Sequence, residues 1–474
     1  MTRRDFLRVG GLGATALAFP NVVLAQGDFD MVLLNGRVID PESKLDGIRH
    51  VGIRSGRIAS VSTSELKGRK TIDARGLVVV PGFVDIIAHG HNLENDRVQL
   101  LDGVTTKLQM ERGALEVDRW YSEQAGNRMC HYGAAASHTM ARWKVMNEKD
   151  LPSTEAQVGE MARYVDQGLK EGGLGVGFGL EYQPAATRWE VLEMFRVAGK
   201  YGASCHVHTR YGTLLEEQSN LTSLAEVLSA SLISGAPIHI VHVPSMALGN
   251  TQRALQVIEE AQAKGFDVTC DFYPYTAFGT GISSEVFDEG WQTKFGIDYK
   301  DLQWAKTNER LTKETFEKYR AEGGMVIAHA IPESAVQAAV KSKATMVGSD
   351  GGLNNGVGHP RSAGSFCRVL GHYSRNLGLL SLSEAVKKMT VMPARRFEKR
   401  CPEFKRKGRI KVGADADLAI FDPKTVIDKA TFDKPAVASF GMKWVLLNGE
   451  AAVSEGTLQD RGNTGKPIRA KRTA

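Results

Sequence analysis

Along the chain, short apolar runs alternate with longer segments whose apolar positions recur every three or four residues. The runs lie near 83–88, 104–110, 133–138, 174–180, 203–208, 238–243, 267–273 and 344–349. Each is too short for a helix and reads as a strand buried on both faces. Helical periodicity intervenes at Thr154 to Lys170, Arg188 to Tyr201, Ser223 to Ser234 and Thr251 to Lys264. Eight strands alternating with helices over roughly 310 residues predict a (β/α)8 TIM-like barrel, within the usual size of that fold. A doubly wound open sheet is the competing α/β architecture, but no glycine-rich phosphate fingerprint follows a strand.

The two flanks read differently. Phe29 to Val80 shows short strands separated by turn signals, with an Asn-Gly turn expected at Asn35-Gly36 and a hairpin about Ser55-Gly56. Gly408 to Val453 answers it. Ile410 to Phe421 reads as a further strand pair, and Trp444 to Gly449 nearly repeats Val32 to Gly36. Each flank alone is too small for a good core, which predicts one small β-sandwich domain built from both chain ends. The expected division is 29–80 plus 405–455 for the β domain and 81–404 for the barrel.

Composition changes this picture little: 42% hydrophobic residues, 24% charged and a net charge of +6 are ordinary for a globular chain. Basic and acidic residues are interleaved, so no nucleic-acid-binding stripe is expected. The N-terminus adds a targeting signal. Arg3-Arg4 precede a weakly apolar Gly/Ala-rich run ending near Ala25, the pattern of a twin-arginine signal peptide over residues 1–25. It predicts periplasmic export by the twin-arginine machinery and no stable membrane insertion, the run being short and glycine-rich. The five cysteines form no CxxC pair and read as buried thiols.

The chemistry is concentrated at the strand ends, where a barrel carries its active site. These positions hold His89 and His91, Glu111, His138, His208, His242, Tyr273 and Tyr275, and Asp350. His89 and His91, at i and i+2 on a strand, would share a face. One strand histidine is unremarkable, but imidazoles and carboxylates at most strand ends are the donor set of Zn2+ and related ions. One or two divalent ions are therefore expected.

The motifs Gly82-Phe83-Val84-Asp85, Gly103-Val104-Thr105-Thr106, Gly348-Ser349-Asp350-Gly351 and His359-Pro360-Arg361, in that order, resemble the amidohydrolase superfamily and its D-aminoacylase branch. The resemblance implies His208 and His242 as metal ligands, Asp350 as ligand and general base, and Arg361 as reader of a substrate carboxylate. It also implies Arg210, in a His-x-Arg pattern, and Tyr182, near the end of strand 4, as substrate contacts. Glu111 falls within one residue of the position where that branch carries a cysteine ligand. Two departures stand out. Ile87 occupies the position of the family's first histidine, leaving His89 and His91 as a shifted pair, and Pro244 replaces a substrate-contacting lysine.

The expected activity is metal-dependent hydrolysis of an amide C–N bond in a small carboxylate-bearing substrate, N-acyl-D-amino acids among them. Asp350 would move the proton, His138 would hydrogen-bond the oxyanion, and Tyr273 would line the pocket. Three readings compete: ring-opening hydrolysis of a cyclic amide or imide, deamination, and a non-catalytic periplasmic binding protein. A small-molecule substrate and the export machinery are the expected partners; the sequence sets no oligomeric state.

Overall fold

The computed structural model describes residues 29–212, 218–459 and 462–473; the expected signal peptide lies outside them. Eight parallel strands form the barrel, in chain order: Phe83–Asp85, Val104–Ala114, His131–Ser137, Gly175–Gly179, Ser204–His208, Ile238–Ile240, Val268–Phe272 and Thr345–Val347. Each hydrogen-bonds to its neighbour in sequence except where the eighth meets the first. Closure there is made beyond the strand ends, by Asp350 N–H donating to Ile87 O (2.8 Å), His89 N–H to Gly351 O (2.9 Å) and a parallel bridge between Ala88 and Gly351. The buried Asp85 carboxylate fastens the same seam, accepting from Ile87 N–H (3.2 Å), Ser349 N–H (2.9 Å) and Gln99 Nε2 (2.8 Å). Burial pushes that carboxyl up to about 6, against the pull of its donors. Inside the barrel Val84, Ile86, Leu108, Met110, Val241 and Met346 pack together, and Phe397 and Phe404 join the same cluster.

Both chain ends supply one nine-stranded mixed sheet. Leu418–Phe421 pairs antiparallel with Val78–Pro81 from the N-terminal flank, which tethers the two flanks. The hairpin about Ser55-Gly56 forms as read, and Asn448-Gly449 closes another, with left-handed φ at all four residues. Two other expectations are not met. Asn35-Gly36 is a bulge within the continuous strand Phe29–Asp40, with the register to Leu45–Arg54 slipping between Leu33 and Gly36. The extra residue switches the parity that faces the β-domain core, from Met31 and Leu33 before the bulge to Val38 after it. Of the strand pair expected over 410–421 only Leu418–Phe421 forms. The preceding loop instead spends its acids on ion pairs. Lys407 Nζ lies 3.0 Å from Asp415 and 2.6 Å from Asp417.

One element has no counterpart in the sequence reading. Between the seventh and eighth barrel strands, Phe278–Gly281, Leu302–Trp304 and Met325–Ala328 form a separate antiparallel sheet. Its helices pack on it through an aromatic cluster of Phe287, Trp291, Phe295 and Phe316, and Trp304 stacks on Tyr319 with centroids 4.3 Å apart. This insertion overhangs the C-terminal end of the barrel. All five cysteines are buried and free. Among the described residues no helix is long and apolar enough to cross a membrane.

Asp417 links the layers: besides Lys407, it faces His131 Nε2 at the foot of the third barrel strand (3.2 Å) and accepts from Asn448 N–H (2.8 Å). Burial alone would raise its pKa, but Lys407 and then His131 hold it far below the carboxylate range. The folded-state pKa therefore lies below the unfolded one. The stabilisation is complete above about pH 4 and fades as pH falls below it. Asp417→Ala should cost about 3 kcal/mol, the low end for a broken buried pair because Asp415 still faces Lys407. Urea denaturation at pH 7 and pH 3 checks this, the variant's deficit shrinking at the acid end.

Candidate metal centre

Glu111 owes its place to an irregularity. The second barrel strand pairs with the third in register as far as Gln109, opposite Ala134, and resumes only at Ala114, opposite Ala136. Five residues thus answer two, and the bulged backbone carries Glu111 over the barrel mouth. The bulge presses on the fourth strand at Gly177, where a Cβ would stand 2.1 Å from Glu111 O and 2.5 Å from Met110 O. Only glycine leaves room for it.

Around the Glu111 carboxylate stand three imidazoles. His208 Nδ1 lies 2.9 Å from Oε1, while His89 Nε2 and His242 Nε2 lie 3.1 and 3.8 Å from Oε2. Donor atoms of Glu111, His208 and His242 all fall within 4.8 Å of one another, as do those of His89, Glu111 and Asp350. Four donors at about 2.1 Å around a tetrahedral ion stand about 3.4 Å apart, which is the scale of these separations. The outer nitrogens are already engaged. His208 Nε2 meets Glu181 Oε2 at 3.0 Å and His242 Nδ1 meets Ser245 Oγ at 2.9 Å, leaving Nδ1 and Nε2 respectively for an ion. Donor chemistry, spacing and outer partners all fit a divalent metal. Burial would lower the His208 pKa, but Glu111 and Glu181 outweigh it and raise it to about 9. The same imidazoles hold Glu111 well below the carboxylate range despite its burial. The site is thus poised to exchange protons for a cation.

His89 and Asp350 meet across the barrel seam, Nε2 to Oδ1 at 2.8 Å. Both His242 and Asp350 have left-handed φ, 33° and 49°. Such conformations cost about 1–3 kcal/mol each. His242 is held by its own N–H donating to Asp271 Oδ1 (2.6 Å), Asp350 by the hydrogen bond to Ile87 O. Burial would raise the Asp350 pKa, but Arg361, with Nη1 2.7 Å from Oδ2, and His242 lower it, so the carboxylate stays ionised. Ile87 points into the apolar barrel interior. These groups open on one cavity of about 600 Å3, which Tyr182, Tyr273 and Arg361 also line. Among the described residues the Tyr273 hydroxyl makes no well-aligned hydrogen bond, with Ser245 and Arg361 beside it, and the Arg361 guanidinium lies 4.6 Å from its ring centroid.

Three expected site residues lie elsewhere. His91 turns away from Glu111: its Nε2–H donates to Ala88 O (3.0 Å) and its ring meets the edge of Trp120. Burial, and then the charge of Lys107, keep it neutral. His138 begins the helix His138–Met146, where the chain leaves the third strand, and is spent on Glu190 (2.6 Å). Arg210 donates twice to Glu226 (3.0 and 2.7 Å) and once to Pro184 O (2.8 Å), which leaves no face for a substrate. Two residues were missed. Glu181 braces His208, and Lys294, from the insertion, braces Glu181 at 2.6 Å. The buried acid at the end of strand 4 was a readable signal; Lys294 had none, because only the overhang brings it there.

Residues 190–453 match the sequence profile of the amidohydrolase family. The chain is 29% identical to D-aminoacylase and 30% to N-acyl-D-glutamate deacylase, both of Alcaligenes xylosoxydans xylosoxydans. The alignments cover 89% and 90% of this chain and 94% and 93% of the relatives. The solved N-acyl-D-glutamate deacylase of Bordetella bronchiseptica, complexed with zinc and a phosphonate inhibitor, is similar over 94% of this chain and all of its own. Its TM-score is 0.81 at 27% identity.

Gly177→Ala should leave a folded protein that has lost most of its bound metal, because the bulge carrying Glu111 must move. His208→Gln should behave likewise, Glu181→Gln should weaken metal affinity about 10–100-fold, and His91→Gln should keep full stoichiometry. Elemental analysis after dialysis against graded chelator distinguishes the four.

Proposed function

This chain belongs to the amidohydrolase family, and on that premise we propose that it hydrolyses the amide bond of N-acyl-D-amino acids. The observation that carries the reading is the convergence, in one cavity, of the Glu111–His208–His242 cluster with an ionised Asp350 and a buried Arg361. Glu111, His208 and His242 would hold the ion, with His89 and Asp350 as the further donors beside it. When bound, a divalent ion such as Zn2+ supplies Lewis-acid polarisation of the carbonyl and lowers the pKa of water from 15.7 to about 7. With Ile87 in place of a histidine, a second ion would have only His89, Glu111 and Asp350, so one tightly held ion suits the donor count best.

The remaining work falls to side chains. Asp350 takes the proton of the attacking water and delivers it to the nitrogen as the C–N bond breaks, so that an amine and a carboxylic acid leave. Arg361 donates through Nη2 to Gly279 O (3.0 Å) and faces Asp350 with Nη1, keeping that carboxylate ionised; Nε, with no partner among the described residues, is the donor left for the substrate carboxylate. Tyr182 closes the same wall, its hydroxyl 3.0 Å from Thr280 of the insertion, and the Tyr273 hydroxyl, with no well-aligned acceptor among the described residues, can donate to the substrate. The far wall of Met246, Phe278, Val286 and Phe295 suits an apolar amino-acid side chain. The D configuration rests on the two deacylase relatives. The N-terminal Arg3-Arg4 pattern supports periplasmic export, with the metal acquired before translocation.

Asp350→Asn should lower kcat on an N-acetyl-D-amino acid at least 100-fold while metal stays at the Glu111 cluster; a variant that kept its activity would remove Asp350 from the proton path. A panel of N-acetyl-D- and L-amino acids, read by amine release, tests the substrate class, and inactivity on all of them rejects it. Replacing Arg3 and Arg4 by lysine should retain the protein in the cytoplasm, as cell fractionation would reveal.

A further inference from the structure

We propose that a groove beside the catalytic cavity is a second subsite, built for a long, peptide-like acyl arm that ends in a carboxylate. The inference rests on the hydrolase reading above and extends it to the other half of the substrate. The groove, of about 1260 Å3, meets the catalytic cavity at His89, Arg112, Met325 and Gly352. The inner cavity alone is within the roughly 300–1,000 Å3 that accommodates a drug-sized ligand. A short N-acyl amino acid therefore leaves the groove empty. Arg361 draws the carboxylate of the amine half inward, so the acyl half is the part that runs out past His89.

Two features of the groove define what it would take. Its floor carries buried acceptors that have no donor among the described residues: the amide oxygen of Gln109, a residue more than nine-tenths buried, and Nδ1 of His91. Because the His91 Nε2–H is donated to Ala88 O, its Nδ1 can only accept. Buried polar atoms left unsatisfied in this way are costly, and a ligand N–H would relieve them. An amide group along the arm supplies such a donor. The rim carries the second feature. Arg112, Lys144 and Lys306 are exposed there, and among the described residues no carboxylate pairs with any of them. Arg119, also on the rim, is by contrast held by Glu116 and Glu123. Among the described residues, three unpaired cations stand against one unpaired carboxylate of the lining, the exposed Glu322, and this excess favours an anion through charge complementarity that salt weakens.

The test compares N-acetyl-D-leucine, N-(succinylglycyl)-D-leucine and the methyl ester of its succinyl carboxylate, using the metal-loaded full chain. The free acid should show a kcat/KM at least 10-fold above its ester at low ionic strength, with the advantage shrinking as salt rises. Lys144→Ala/Lys306→Ala should erase that advantage and leave N-acetyl-D-leucine unchanged. Gln109→Leu should slow both arm-bearing substrates and spare the acetyl one. Equal rates for acid and ester, or an advantage that survives the double substitution, would overturn the subsite while the hydrolase reading stands. Turnover of none of the three would overturn both.

Discussion

The carboxylate of Glu111 is the group on which the centre depends. Both of its oxygens face imidazoles, and both candidate ligand groups include it. A regular strand could not present it so. Alternation would send Glu111 to the side of Lys107 and Gln109, away from Leu108 and Met110, which fill the barrel. The bulge between Gln109 and Ala114 breaks that alternation, and Gly177 on the fourth strand, two places along the barrel, makes the bulge possible by having no side chain. Backbone irregularity on one strand and absence of a Cβ on another are a single device.

The barrel seam serves the same end. Strands one and eight share no regular ladder, and their junction is the set of hydrogen bonds around Asp85, Ile87 and Gly351. Those bonds bring His89 and Asp350 within 2.8 Å of each other. Ile87 takes part through its backbone while its side chain packs inward. A position that could have held a metal ligand instead anchors the closure, and the donor count on the His89 side falls accordingly. Left-handed backbone at His242 and Asp350 is the cost of turning both side chains over the barrel mouth, offset by the hydrogen bonds that grip each N–H.

The insertion between strands seven and eight completes the enclosure. It contributes Phe278, Thr280 and Phe295 to the cavity, and through Lys294 and Glu181 it reaches a metal-facing histidine. Substrate walls and ligand support therefore come from one element. The same overhang, with Met325, forms part of the boundary between the inner cavity and the outer groove.

Periodicity alone determined the eight barrel strands and four of the helices between them, since the two-faced burial of parallel strands and the single buried face of a helix are written in consecutive residues. The echo of the two flanks likewise determined that both ends build the β sheet. His89, Glu111, His208, His242 and Asp350 were legible because barrel chemistry is confined to strand ends. Tertiary structure decided which of the other polar residues joined them. His138 and Arg210 sit at the same kind of position, yet helix-borne Glu190 and Glu226 claim them. His91 shares a strand pattern with His89, yet the chain leaves strand geometry after Asp85, so the i, i+2 rule no longer applies. Sequence places a donor at a strand end, and which partner it meets is a matter of where distant carboxylates come to rest. For Glu111 that meant a bulge, and the bulge was decided by a glycine on another strand.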